Sequence, residues 1–326
     1  MSDLPDCCKT GYLHDPAPTG GLRGTELVRH GLNVYVSRPA TTTPSPEKKK
    51  AVILLSDVFG WKYPNTRILA DRFALAGYTA FLPDMFDGGA LPYESYTHII
   101  ANPEPPKGLV QHLVRATHLI KAVPTAVPFL LKYAQKQPLG KVQAFARGLK
   151  SRKPSESGGD DDGAANDDDF DVVVVVGYCF GGRYAALLAA AAGADHDDKD
   201  NKENTSSSSS ASPGSPSRRP LVSAACVVHP GEIKVPSEIT PIRAPTLFLH
   251  AINDPFFADR KAAEQALADK NAKADGGDDT QKVVYEFVDY ARPHGFALRA
   301  DVEEGEAREA MEDALRRCLE WFDRYG

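Results

Sequence analysis

Apolar positions along the chain gather into short, nearly continuous runs separated by segments of helical spacing. The most pronounced run is 172–176, five consecutive valines with neither a helical nor an alternating period. That pattern suits a strand buried on both faces. It ends in Gly177-Tyr178-Cys179-Phe180-Gly181-Gly182, and the alanine- and leucine-rich stretch 183–192 follows as a helix. Comparable runs predict strands at 32–36, 51–56, 79–82, 221–228, 245–251 and 282–288. Helical spacing predicts a helix over 65–77, built on Ile68, Leu69, Phe73 and Leu75 and stopped by Gly77. Further helices are expected over 259–270 and over 302–325, the last with Met311, Leu315, Cys318 and Phe322 on one face. Between 108 and 150 the pattern is helical but interrupted at Pro124, Pro128 and Pro138, and these pieces are expected to lie over the sheet edge. Strand and helix alternate throughout, which predicts an α/β fold: a mainly parallel central sheet with helices on both faces.

Two segments depart from this alternation. The stretch 151–169 carries two aspartate runs and reads as an acidic surface insertion. The stretch 193–220, with serines at 206–210 and three prolines, reads as a disordered low-complexity insertion. Strand-like segments on both sides are needed for one sheet, so 1–326 is read as a single domain that tolerates two long surface connections. Charge adds little: the formal net charge is −6 and no basic cluster argues for a nucleic-acid partner. No apolar stretch reaches the ~18 residues of a membrane span. The first residues lack a basic region and an apolar core, so a cytoplasmic location is expected. Five cysteines in 326 residues do not form a disulfide framework. Cys7, Cys8 and His14 are too few ligands for a recognised metal site, and the acidic insertion lacks the closing glutamate of a calcium loop. Neither metal nor cofactor is expected.

The candidate chemistry lies at strand exits. A strand, a tight glycine-flanked turn and a helix form a nucleophile elbow, here with sulfur at Cys179 where serine is usual. The helix start directs free N–H groups and partial positive charge toward that thiol. Asp254 and His294 follow two later predicted strands, giving the chain order nucleophile, acid, histidine. His294 would take the thiol proton and return it to the leaving oxygen, while Asp254 would hold the imidazole tautomer. The N–H groups of Phe180 and Val58 are the expected oxyanion donors. Asp57, in the loop after the second strand, is read either as an ordinary loop carboxylate or as tuning the thiol, and Phe59 and Trp61 as lining an apolar pocket or packing in the core. His229, His250 and Asp84 are the competing side chains.

Ser56-Asp57-Val58-Phe59-Gly60, Leu82-Pro83-Asp84, the elbow, His250 through Asp254-Pro255, and His294-Gly295-Phe296 together resemble the dienelactone hydrolase family, in its fungal-type form with an N-terminal Cys-Cys arm. The resemblance implies an α/β-hydrolase fold, no metal, and hydrolysis of a small-molecule lactone or ester through a thiol acyl-enzyme. Two positions depart from the bacterial lactone enzymes. Asp57 stands where those carry a glutamate that restrains the thiol, and Leu298 stands where they carry a substrate-binding arginine, with Arg299 one residue later. The alternative is a binding or redox-sensing protein on the same fold, with Cys179 oxidised instead of acylated.

Overall fold

The computed structural model describes residues 21–40, 48–92, 117, 124, 126–129, 131–133, 137–150, 169–193, 219–252, 254–274, 282–299 and 305–326. The Cys7-Cys8 arm and, apart from their edges, the two insertions lie outside the described residues. Eight strands form one sheet: β1 (Thr25–Arg29), β2 (Leu32–Ser37), β3 (Lys50–Leu55), β4 (Thr79–Pro83), β5 (Val172–Tyr178), β6 (Ala225–Val228), β7 (Thr246–Ala251) and β8 (Tyr285–Tyr290). Their order is β1-β2-β4-β3-β5-β6-β7-β8. The first two strands are antiparallel to their neighbours, and all pairings from β4 through β8 are parallel. Helices cover both faces: α1 (Pro64–Leu75), α2 (Gln137–Lys150), α3 (Phe180–Ala190), α4 (Arg260–Ala274), the short α5 (Phe296–Arg299) and α6 (Gly305–Tyr325).

The valine run occupies the interior of this sheet. Every residue of β5 is buried, because β3 and β6 pair along its two edges and helices cover its faces. Parallel pairing has a consequence for function. The chain leaves β3, β5, β6, β7 and β8 at the same edge, where open α/β sheets place ligand groups. Cys179, His229, Asp254, His294 and the Asp57 loop are all in those exits.

Several elements differ from the sequence expectation for identifiable reasons. Strand β1 was not predicted, since its edge position leaves most of its residues exposed or half-buried and removes the apolar signal. The strand expected over 221–228 begins at Ala225; residues 221–223 form a bend in which Leu221 and Val222 are buried and Ser223 N–H donates to Val173 O at 2.8 Å. The last strand is shifted to Tyr285–Tyr290. Helix α2 begins at Gln137, so Pro138 sits in its first turn, in keeping with the interruption expected there, and its missing N–H removes no helical bond. Leu75, expected on the buried face of α1, is exposed at the last turn.

Helix α6 buries Met311, Leu315, Cys318 and Phe322 as the pattern predicts, and Phe322 packs 6.2 Å from the rings of both Phe73 and Tyr78. No helix among the described residues is long and apolar enough to cross a membrane. Phe322→Ala would leave a ring-sized cavity between α6, α1 and the start of β4. It is expected to cost about 3–5 kcal/mol, read as a lowered urea midpoint relative to the native chain.

Candidate active site

Cys179 sits between β5 and α3 with φ 53° and ψ −117°, a backbone state that a residue with a side chain adopts only under strain. Hydrogen bonds on both sides hold it there. Its N–H donates to Val228 O at 3.1 Å, and its carbonyl accepts from Gly182 N–H at 2.9 Å and Gly231 N–H at 2.7 Å. The flanking glycines are sterically required. A Cβ on Gly177 would lie 2.1 Å from Gly181 O, and one on Gly181 would lie 2.1 Å from Leu55 O. The sharp turn therefore presents the Cys179 side chain at the sheet edge, at the start of α3, whose first N–H groups have no acceptor within the helix.

His294 lies in the loop after β8, immediately before Gly295, whose φ of +88° suits glycine. Its Nδ1 is 2.7 Å from Asp254 Oδ2, and the Asp254 side chain is fully buried. The other Asp254 oxygen accepts the Phe256 N–H at 2.9 Å. This carboxylate fixes the imidazole so that Nε2 is the nitrogen left for chemistry. Nε2 is buried with no well-formed hydrogen bond of its own, and the thiol of Cys179 interacts with this imidazole. Burial alone would push the Cys179 thiol up; the charge and hydrogen bond of His294, then Arg299, more than offset it, so the thiol lies below its ordinary 9.0. Burial likewise opposes charge on His294, but Cys179 and Asp254 raise it to about 9. Both shifts favour a thiolate–imidazolium pair.

The loop after β3 supplies the second charged pair. Asp57 is buried; its Oδ1 accepts the Phe59 N–H at 2.9 Å and its Oδ2 pairs with the Arg299 guanidinium at the end of α5. Burial pushes the Asp57 carboxyl up, and Arg299 and the Phe59 N–H pull it back only in part. Asp57 raises and Arg299 lowers the thiol of Cys179, so the two act on it with opposite sign. Phe59 lies beneath this pair, with the Arg299 guanidinium 5.6 Å from its ring centre. Val58 is half-buried on the turn that Gly60 N–H closes onto Asp57 O at 3.1 Å, and its carbonyl accepts Leu91 N–H at 2.8 Å. Trp61 is buried in the core, and its ring stacks under the Arg67 guanidinium at 5.0 Å.

The competing residues have other partners. His250 Nδ1 lies 3.1 Å from Asp289, and Asp84 accepts the N–H groups of Phe86 and Gly88 within its own loop. His229 was underrated by the sequence. It is fully buried, both ring nitrogens lack partners, and its ring meets that of His294 edge-on at 5.1 Å. Burial first, then the charges of His294 and Arg299, hold it well below the usual histidine range, so it packs as a neutral ring. Phe256 was also missed; its ring lies 4.7 Å from that of His294. Among the described residues no group of His, Cys, Asp and Glu is arranged to hold a metal ion.

A mainly parallel sheet that presents an elbow, an acid and a histidine at the exits of β5, β7 and β8 defines an α/β hydrolase. The dienelactone hydrolase family model matches residues 33–146 and 213–326, and the chain belongs to that family. It is a hydrolase of the ester-cleaving kind. The chain is 26% identical to Hydrolase tropI of the fungus Talaromyces stipitatus over 327 residues, covering 100% of this chain and 98% of that protein. A carboxymethylenebutenolidase homolog of Xenopus tropicalis is 41% identical over 68 residues, 21% of this chain and 26% of that protein. A solved Klebsiella pneumoniae protein described as a dienelactone hydrolase shares the fold, with a TM-score of 0.50 and 20% identity over 90% of this chain and 93% of that one.

The electrostatics give a signed expectation for Cys179. Alkylation by iodoacetamide follows the thiolate, so its rate should rise with pH through a midpoint below 9.0, the ordinary thiol value. In His294→Gln the imidazolium is lost while burial remains, and the midpoint should move upward past that of the native chain. A peptide-level alkylation series across pH checks both.

Proposed function

We propose that the chain is a cysteine-dependent hydrolase of a small ester or lactone, with Cys179, Asp254 and His294 as its catalytic triad. The observation that carries this reading is the bond from His294 Nδ1 to the buried Asp254 carboxylate, 2.7 Å long, which leaves Nε2 as the nitrogen for the Cys179 thiol. The Cys179 thiolate attacks the substrate carbonyl carbon, and the C=O electron pair moves onto oxygen. Phe180 N–H and Val58 N–H receive this oxyanion, each worth on the order of 3 kcal/mol. Collapse breaks the C–O bond, and His294 gives its proton to the departing oxygen, which in a lactone stays tethered to the acyl group. Neutral His294 then takes a proton from water as it attacks the thioester, and the thiolate leaves.

Asp57, Arg299 and Phe59 form the support of the nucleophile in this reading. Arg299 is largely covered, with its side chain 10% exposed, and is engaged by Asp57, so it acts on the thiol through its field and is not an open clamp for a substrate carboxylate. Trp61 packs against Arg67 behind this loop. A depressed thiol also suits peroxide chemistry, but a redox sensor has no use for a histidine held in one tautomer to shuttle protons. The hydrolytic reading accounts for Asp254 and His294 as well as Cys179.

The test is turnover of activated esters. Cys179→Ala should lower kcat/KM by about 10³-fold or more with an unchanged circular dichroism spectrum, and Asp254→Asn should lower kcat while leaving KM within about threefold. Retention of most activity in the folded Cys179→Ala variant would overturn the proposal.

A further inference from the structure

Phe256 is 52% exposed among the described residues, whereas Phe257 beside it is buried. Its ring lies against that of His294, with centroids 4.7 Å apart and planes tilted at 56°. The position is set by the backbone: Phe256 N–H donates to one oxygen of Asp254 while His294 Nδ1 holds the other. A single carboxylate thus fixes both the histidine and the ring that covers it, and the outward face of that ring is left without a described partner. On the thiol side, Phe180 follows Cys179, is half-buried, and is backed by Phe86 at 5.4 Å, Phe129 at 5.7 Å and Tyr184 at 5.1 Å. The thiol–imidazole pair is flanked by an aromatic residue at each member.

The two rings serve different halves of a substrate. Given the proposed triad, on which this inference rests, the acyl carbon must sit at Cys179 and the leaving oxygen must come within reach of His294. A substituent on that oxygen then passes over the imidazole, where Phe256 presents its open face. We propose that Phe256 is a specificity-determining residue that stacks against an aromatic ring carried by the leaving group, so the preferred substrates are esters of aryl-bearing alcohols or lactones with an aromatic ring on the oxygen side. Aromatic surface of this kind favours a planar ring over a saturated one through its quadrupole as well as its area.

The experiment compares benzyl acetate with cyclohexylmethyl acetate, whose leaving alcohols are alike in size and whose difference in acidity is the same for native and variant chains. Phe256→Leu should lower the benzyl-to-cyclohexylmethyl ratio of kcat/KM about five- to tenfold, the size of one good ring contact, mainly through KM. Phe256→Tyr should keep the native ratio. A second pair, ethyl phenylacetate and ethyl cyclohexylacetate, places the ring on the acyl side, and its ratio should move by less than about twofold in both variants. The backbone N–H that Asp254 uses survives either substitution, so the triad geometry is retained. An unchanged benzyl ratio in Phe256→Leu, or an equal change in the acyl-side ratio, overturns the assignment. Failure of the triad itself would be visible separately, as a Cys179→Ala variant that hydrolyses benzyl acetate as fast as the native chain.

Discussion

The turn that joins β5 to α3 works because backbone approaches backbone where no side chain fits. Leu55 O and Gly181 O occupy the space that a Cβ on Gly181 and Gly177 would need. Three hydrogen bonds, from Cys179 N–H to Val228 and from Gly182 and Gly231 N–H to Cys179 O, then hold the cysteine at positive φ. Such a conformation persists only where its surroundings over-determine it. Here the surroundings are the two parallel neighbours of β5, so the buried valine strand and its register set the position of the sulfur. The same sheet edge delivers Asp254 and His294, and their placement relative to the thiol follows from strand order.

Within that frame, charge is arranged in opposed pairs out of water. His294 and Arg299 favour the thiolate, and burial and Asp57 oppose it. The balance leaves the thiol depressed yet coupled to a histidine raised to about 9. In an acyl transfer the negative charge of a thiolate passes to the carbonyl oxygen and returns, so the step moves charge among fixed partners and creates none. Prearranged dipoles and ions are most effective for such a step because they need no reorganisation. Arg299 and Asp57 neutralise one another at the base of the site, which keeps a largely covered guanidinium tolerable. His229 extends the same logic: a neutral ring against His294 adds packing without adding charge.

Much of this architecture is legible in the sequence because the signals are local. A run of valines ending in Gly-x-Cys-x-Gly specifies a buried strand and a steric turn, and the β/α alternation specifies a parallel sheet with its exits at one edge. The edge strand β1 escaped because exposure erased its apolar pattern. At the site, Asp254 and His294 were recoverable from their position after strands. The Asp57–Arg299 pair joins residues 242 positions apart, and no spacing rule connects them. His229 and Phe256 were hidden for a related reason. Their significance lies in what touches the face of His294, which depends on the packing of three loops.

The central claim is that Cys179 carries the acyl group, and it is tested most directly by quenching a slowly deacylating ester during turnover and measuring intact mass. The account predicts an adduct of the acyl mass, mapped to the peptide containing Cys179 and released by neutral hydroxylamine as a thioester would be. An adduct mapped to any other residue, or steady turnover with the Cys179 peptide unmodified at every quench time, would contradict it.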